Sequence, residues 1–372
     1  MRIQGFVGPS SRNRSSNVNV ERTVNLYTET SDAGTPAVAG ALYWTPGVKP
    51  FAALGAGPVR ALFSQANRTF GVGGAGFYEI LQSKVTVPRG SLAADSKPAT
   101  ISSNGTNGNQ LLITSGGYGY IFDLLTNTLT LITDDGFPFP VEMGVFIDTY
   151  FLVLKRGSNQ FNWCAILDGV EWNALDVAQT SLSSDPKYAI GVSHRSVFVF
   201  GEKYTEVWVN SPDGGVTFQP LPNTFIEHGI AAPFSIAVLD NTLYWIGRDE
   251  GGFGVVWRLN GYTPERVSNH ALEYWLKQAT PLSDAVAYSY QDQGHGFYVI
   301  YIPTLKTTWV YDVTTGQWHE RALWNPHTMV LEPHVGRCHC FAWGKHLIGD
   351  RGSRAVYEMD LDFLTDEIVV PR

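Results

Sequence analysis

Cysteine is scarce in this chain, with three residues among 372. Domains that depend on disulfides carry an even set of closely spaced cysteines, and Cys164, Cys338 and Cys340 do not form such a set. The sequence therefore predicts no disulfide framework, which is consistent with folding in a reducing compartment.

The content of charged residues is also low, at 16%. Asp and Glu number 34 against 26 Lys and Arg, for a net charge of −8. A nucleic-acid groove needs clustered Lys and Arg, so this balance argues against sequence-specific DNA binding. It is compatible with a wall past which DNA slides, since negative surface charge repels phosphate.

Long apolar runs are missing too. No stretch approaches the ~20 apolar residues of a membrane helix, and the segment from Met1 to Pro9 lacks the apolar core of a signal peptide. We expect neither membrane contact nor a signal peptide.

Catalytic signatures are absent or incomplete. The chain has no Gly-x-Ser-x-Gly and no His-Glu-x-x-His. The run Gly71 to Gly76 has the spacing of a dinucleotide-binding loop, but that site needs a helix next and the residues from Phe77 favour a strand. The run Cys338 to Cys340 lacks the two-to-four-residue spacing of structural zinc ligands. We expect no enzyme, no cofactor and no metal site.

Turn residues and aromatics are plentiful, with 38 Gly, 20 Pro and 13% aromatic residues. Between Pro186 and Pro222, short runs rich in Val, Phe, Trp and Tyr alternate with turn residues, which predicts four consecutive antiparallel strands. The last connection resembles the Asp-box turn of propeller blades, in which the Asp accepts backbone hydrogen bonds and glycine permits positive φ. Its residues are Ser211, Asp213, Gly215, Thr217 and Phe218.

This unit repeats about every 45 residues, a period typical of propeller blades. Unit starts lie near Pro58, Pro98, Val141, Lys187, Ala232, Asp284 and Thr328. The predicted fold is all-β, a β-propeller of about seven four-stranded blades closed by N-terminal strands. The domains are an N-terminal arm with closing strands (1–57), the propeller (58–362) and a C-terminal stub (363–372).

Two further elements are predicted from local patterns. A short helix is expected from Ala271 to Lys277, where apolar residues follow helical spacing. The segments Arg22–Tyr27 and Leu42–Trp44 are the expected donors of a strand to the last blade, because an open ring would expose strand edges. Arg12 and Arg14 join Arg22 in a basic cluster that is either a solvated tail or a docking arm.

Several aromatics in predicted outer turns are candidates for interfaces, because aromatic side chains are frequent interface anchors. They are Phe137, Phe139, Phe161, Trp163 and Trp324. The alternative is that they cover their own blades.

Several stretches in the same order resemble the packaged-DNA stabilisation proteins of short-tailed bacteriophages, also called head-completion or tail-hub proteins. The matching stretches start at Glu21, Trp44, Ala61, Gly201, Phe225 and Trp309. The resemblance implies a propeller subunit in a ring, a homohexamer, beneath the portal and its adaptor. Such a ring continues the DNA channel and binds the tail needle or tailspikes, without catalytic residues. Members of this family continue into a further β-rich lobe, which this chain does not show up to Arg372.

The resulting expectation is a virion protein of the tail or neck, made in the host cytoplasm, that retains packaged DNA and joins tail components. Its mechanism would be mechanical and electrostatic, with an acidic bore that does not hold DNA. The alternatives are a carbohydrate-binding or sialidase-like propeller and a scaffold that binds only proteins.

Overall fold

Antiparallel strands dominate the computed structural model, which describes residues 8–10, 21–30, 40–181, 185–211 and 216–368. The structure is 57% strand and 4% helix, and seven sheets of at least four strands stand around a central channel. The fold is a seven-bladed β-propeller, as the repeat predicts. None of the helices in the described part of the chain has the length and hydrophobicity that a membrane crossing requires.

The strands follow the chain in order around the ring. The first described strands are β1 (Leu26–Thr30), β2 (Gly40–Trp44) and β3 (Gly47–Ala53). Blade 1 consists of β4 (Val59–Gln65), β5 (Arg68–Gly73), β6 (Gly76–Ile80) and β7 (Thr86–Ser91). Blade 2 consists of β8 (Thr100–Ser103), β9 (Gln110–Ser115), β10 (Tyr118–Asp123) and β11 (Thr128–Leu131). Blade 3 consists of β12 (Val141–Ile147), β13 (Tyr150–Lys155), β14 (Gln160–Ala165) and β15 (Asp168–Gln179).

The remaining blades complete the ring. Blade 4 consists of β16 (Ala189–Ser193), β17 (Ser196–Phe200), β18 (Thr205–Asn210) and β19 (Phe218–Ile226). Blade 5 consists of β20 (Ala237–Leu239), β21 (Thr242–Arg248), β22 (Gly254–Asn260) and β23 (Thr263–Arg266). Blade 6 consists of β24 (Val286–Asp292), β25 (His295–Ile302), β26 (Thr307–Asp312), β27 (Gln317–Asn325) and β28 (Val330–Pro333). Blade 7 consists of β29 (Gly336–Ala342), β30 (Lys345–Asp350), β31 (Ala355–Asp360) and the N-terminal β3.

Short helical segments connect some of the strands. They are α1 (Gly105–Gly108), a single turn, α2 (His270–Leu276) and a 3₁₀ turn (Pro233–Ser235). The helix predicted between the fifth and sixth units is confirmed as α2. The side chain of Asn269 accepts a hydrogen bond from the backbone N–H of Leu272 and so caps its first turn.

Blade 4 shows why the repeats form sheets. Every residue of β17 is buried, because neighbouring blades cover both faces of the sheet. The two-residue turn before β17 consists of His194 and Arg195, which have φ of 47° and 60°. Two successive positive φ values match the type I′ hairpin, whose twist agrees with that of the flanking strands. The stretch predicted as one four-stranded blade is therefore confirmed.

The ring is closed by β3, which pairs antiparallel with β31 from Gly47 opposite Asp360 to Ala53 opposite Ala355. Closure by an N-terminal strand is confirmed, but the predicted donor segments, Arg22–Tyr27 and Leu42–Trp44, are wrong. The strands that overlap these segments, β1 and β2, pair with each other instead. Tyr27 of β1 is buried among side chains of blades 6 and 7, so this hairpin packs against both blades.

Blade 6 differs from the others by its fifth strand. After Arg321, β27 leaves β26 and pairs with β28, which has no second partner strand among the described residues. The unit start predicted near Thr328 is therefore wrong, because that segment extends blade 6 and blade 7 begins at Gly336.

The hydrophobic core is distributed between neighbouring blades. The largest cluster joins blades 3, 4 and 5. Another joins blades 7 and 1, and it includes Phe51 and Val356 of blade 7 together with Val59 and Leu62 of blade 1. Each blade thus depends on its neighbours for burial, as expected of a closed repeat.

Candidate functional site

The central channel is lined by the first strand of each blade and has a volume of about 780 Å³. Small and apolar side chains form most of its wall, including Ala61, Val145, Val192 and Ala287. Two arginines, Arg60 and Arg337, line it, and the described lining includes no carboxylate.

Both channel arginines are held by the protein itself. Arg60 pairs with Asp95, and its Nε donates to the Lys97 carbonyl at 2.8 Å. Arg337 donates to the carbonyl of Ser96 at 2.8 Å. Burial lowers the pKa of Arg60, and Asp95 opposes that shift. The described channel therefore does not assemble the three convergent arginines with acidic partners that a sialidase-like site needs.

The run Cys338 to Cys340 lies on β29 beside the channel. His339 Nε2 is 3.0 Å from Nδ1 of His346, and burial raises the pKa of the Cys340 thiol, which disfavours a thiolate ligand. Among the described residues, no group of three or more His, Cys, Asp or Glu is placed to hold a metal ion.

The glycine run Gly71 to Gly76 lies at the β5–β6 hairpin, where Gly74 has φ of 54°. The strand β6 follows it, and none of the helices in the described ranges begins at this turn. The run therefore lacks the geometry of a dinucleotide-binding loop.

The predicted Asp-box turn joins β18 to β19. Ser211 N donates to the carbonyl of Thr217 at 2.9 Å, and Phe218 is 1% exposed in the core between blades 3 and 4. Asp213 and Gly215 lie outside the described residues, so the Asp-box itself stays a prediction.

Two of the predicted interface aromatics are buried. Phe161 and Trp163 are 0% and 6% exposed in β14, where Phe161 packs edge-on against Trp208 at 5.2 Å between ring centroids. Their assignment to an outer turn is wrong, because Phe161 and Trp163 belong to a strand covered by the next blade. Phe137 is half-buried and packs edge-on against Trp172 at 4.9 Å.

The other two predicted aromatics are exposed, with 54% of Phe139 and 55% of Trp324 accessible. Phe139 lies 4.7 Å from Tyr118 between ring centroids. Trp324 lies on the β27–β28 hairpin, which also exposes Met329 and Val330. Met329 and Val330 were not predicted from the sequence, where their only signal is an apolar pair after the turn residues Asn325 and Pro326.

Comparison with known proteins now identifies the family. Residues 10–364 match the family described as "Bacteriophage P22 Gp10, beta-propeller". The chain belongs to this family. It is thus a bacteriophage structural protein of the Gp10 family, and the family resemblance seen in the sequence is confirmed.

Solved structures share the propeller of this Gp10-family protein. Virginiamycin B lyase from Staphylococcus aureus matches with a TM-score of 0.55 and 7% identity over 85% of this chain and 99% of the lyase. A streptogramin B lyase structure matches with 0.53 and 8% over 85% and 98%. The extracellular domain of the putative one component system BT4673 from B. thetaiotaomicron gives 0.55 and 8% over 83% of this chain.

The chain spans 39% of the length of the BT4673 chain that it matches. At these identities, the likeness shows the fold alone. A search of curated proteins found no match.

The Gp10-family chain also has an N-terminal clamp, formed by Gly8, Ser10, Arg22 and Thr23 on Glu320 of β27. Ser10 Oγ donates to the buried Glu320 carboxylate at 2.8 Å, and Arg22 donates through Nε at 3.0 Å and Nη2 at 2.8 Å. Thr23 Oγ1 donates to the carbonyl of Gly8 at 2.8 Å. Burial raises the pKa of Glu320, and Arg22 opposes the shift. The clamp fastens the first described residues to blade 6.

Of the two readings of the basic cluster, Arg22 is therefore docked rather than solvated, and its partner is the propeller itself. Arg12 and Arg14 lie outside the described residues. Glu320 was not predicted from the sequence, because a lone acid within an aromatic strand carries no local signal.

Proposed function

We propose that this protein is a structural subunit of the phage tail or neck, which forms a ring of six copies beneath the portal complex, helps to retain packaged DNA and joins tail components. The observation that carries this proposal is the family match over residues 10–364. A closed seven-bladed disc suits the role, because it presents rigid surfaces on every side.

In the proposed ring, DNA passes between the subunits and not through the channel of each propeller. The channel supports this assignment, since its described lining is apolar or small apart from Arg60, Arg337 and a few polar side chains. The net charge of −8 then lies mainly on other surfaces. An acidic bore built from those surfaces would repel phosphate and let DNA move during ejection.

The contacts between copies, or with the portal, adaptor, tail needle or tailspikes, would use exposed aromatic surfaces. Trp324 on the β27–β28 hairpin is the strongest of the predicted interface residues, because its exposed neighbours extend the apolar surface. Phe139 is the second, although it also packs on Tyr118 of its own blade. Phe137, Phe161 and Trp163 would act only by supporting the blades.

The proposal is tested in phage that lack this protein. We expect heads that fill with DNA and then lose it, together with tails that lack the components below the portal. Electron microscopy and nuclease protection of the packaged DNA measure both. Heads that retain DNA normally without the protein would reject the role in genome retention, and a protein that never associates with purified portal complex would reject the ring.

A further inference from the structure

The two fully buried arginines of the described chain have opposite surroundings. Arg60 is 1% exposed, pairs with Asp95, and donates to two carbonyls and to Ser115 Oγ. Arg321 is 2% exposed, and none of the carboxylates in the described ranges forms an ion pair with it. Burying a charge that has no ion-pair partner is costly. The burial of Arg321 is therefore not explained by an ion pair, as that of Arg60 is.

The contacts of Arg321 leave most of its donors free. Nη2 donates to the Pro46 carbonyl at 2.6 Å and Nη1 to Sδ of Met359 at 3.1 Å, while Nε has no partner among the described atoms. A guanidinium carries five N–H donors in a planar fork. One carbonyl and one thioether, a weak acceptor, neutralise none of its charge.

The histidine and tyrosine side chains around Arg321 add no negative charge. Burial, and after it the charge of Arg321, lowers the pKa of His319 to about 3 and the pKa of His334 well below its ordinary value. The hydroxyls of Tyr288 and Tyr290 are buried without a partner among the described residues. These four side chains therefore offer further donors and no anion. The nearby carboxylate is Asp366, whose pKa is raised by burial and lowered in turn by the charge of Arg321, but it forms no ion pair with Arg321 among the described contacts.

Arg321 lines a pocket of about 370 Å³ between the chain before β3 and the chain after β31. Trp44, which is 69% exposed, and Leu364, which is 81% exposed, give it apolar walls. Thr45 and Asp366 also line it. The pocket thus combines the buried cation of Arg321, the carboxylate of Asp366 and an open apolar rim.

We propose that this pocket binds a carboxylate carried on an apolar or aromatic body, with Arg321 as the group that receives the carboxylate and Trp44 packing on the body. The planar guanidinium matches a carboxylate with two parallel hydrogen bonds. Phosphate fits less well, because the described lining holds a single cation and Asp366 would repel a second negative charge.

Such a ligand would contact both the segment before β3 and the segment after β31. Because β3 and β31 form the closing pair, binding would also stabilise the closed ring. This inference rests on the pocket alone and does not depend on the proposed role in the tail.

The probes are benzoate and its neutral isostere benzamide, titrated into the full chain and followed by calorimetry and by Trp fluorescence. We expect benzoate to bind and benzamide not to bind. N-acetylphenylalanine and its amide form a second matched pair. Binding of this acid but not of benzoate would assign the pocket to a peptide end, and equal binding of both acids would assign it to free aromatic carboxylates.

Three variants locate the site. Arg321→Gln should weaken benzoate binding about tenfold or more, since it removes a charge-assisted hydrogen-bond pair. Trp44→Ala should weaken it severalfold, whereas Tyr43→Ala should not, because Tyr43 is next to it on β2 and does not line the pocket. Asp366→Asn should tighten binding by removing a competing negative charge.

Two outcomes would contradict the proposed carboxylate site. Equal binding of benzoate and benzamide, or Trp44→Ala and Asp366→Asn variants that bind as the unaltered chain does, would overturn the proposal. These two variants leave the buried charge in place, so they decide the question even where Arg321→Gln fails to fold.

Discussion

Closure of the ring by β3 predicts a large loss of stability when Phe51 is truncated to alanine. Phe51 is 4% exposed and packs with Leu54, Leu347 and Val356 between blades 7 and 1. Removing its ring leaves a cavity at the junction where β3 pairs with the distant β31.

The magnitude follows from burial. Truncating a fully buried Phe to Ala costs about 3–5 kcal/mol, the sum of lost transfer free energy and a cavity term. Whole domains are stable by only about 5–15 kcal/mol. The change therefore removes about a fifth or more of the free energy of unfolding. Partial detachment of β3 would also expose the edge of β31 to aggregation.

Phe341→Ala is the matched control, because Phe341 belongs to the same blade and is 56% exposed. Urea unfolding followed by Trp fluorescence measures the free energy of unfolding, and light scattering measures aggregation. Phe341→Ala should change stability by no more than about 0.5 kcal/mol. Equal losses for the two variants, or a chain starting at Pro58 that stays monomeric and melts like the full chain, would refute closure by β3.

Three further predictions follow from other sites. Burial keeps the pKa values of His319 and His334 in the folded chain below the ordinary 6.5, so the unfolded chain takes up protons first as the pH falls. The free energy of unfolding should therefore be full above pH 6.5 and fall below it by up to about 1.4 kcal/mol per pH unit for each histidine. Urea unfolding at several pH values measures this dependence, and His319→Gln should show a smaller slope. Trp324→Ser should weaken self-association in sedimentation experiments without loss of stability, whereas Leu175→Ser, 84% exposed on blade 3, should not; equal weakening would reject a specific role for the hairpin. Asn269→Ala should cost about 1 kcal/mol in urea unfolding by removing the cap of α2, and an unchanged midpoint would contradict that role.

The repeat was readable from the sequence because each blade is built from local hairpins. Predicted starts such as Pro58, Val141 and Lys187 fall within two residues of β4, β12 and β16. The start near Thr328 failed because Val330 to Pro333 has the same local pattern as a first strand. Only its pairing with β27 distinguishes it, and pairing is not visible in the segment itself.

The closing strand was misassigned for a related reason. Pro50 interrupts β3 and favours a turn in a local analysis. It is tolerated because β3 is an outermost strand, and the register shifts between Pro50 and Ala52 opposite β31. Which N-terminal strand closes the ring is therefore decided by the pairing of β3 with β31, about 300 residues later in the chain.

The candidate sites were less predictable than the fold. Aromatic content identified Phe139 and Trp324 as exposed, yet gave the same weight to Phe161 and Trp163, whose burial depends on the next blade. Arg321 carried no signal, since burial of a charged residue depends on side chains contributed by remote segments.

The composition of blade 7 also sets the order in which the protein can be completed on the ribosome. Gly47 leaves the exit tunnel roughly 300 residues before its partner Asp360, a delay of about 15 to 60 s at 5–20 residues per second. During that interval Val48 and Phe51, both buried in the finished ring, lack the strand that covers them. Six blades can form as they emerge, whereas blade 7 cannot form until β31 has been synthesised. Until then the exposed apolar segment around Val48 and Phe51 can bind other chains. Fast translation shortens that exposure, and chaperones can cover the segment.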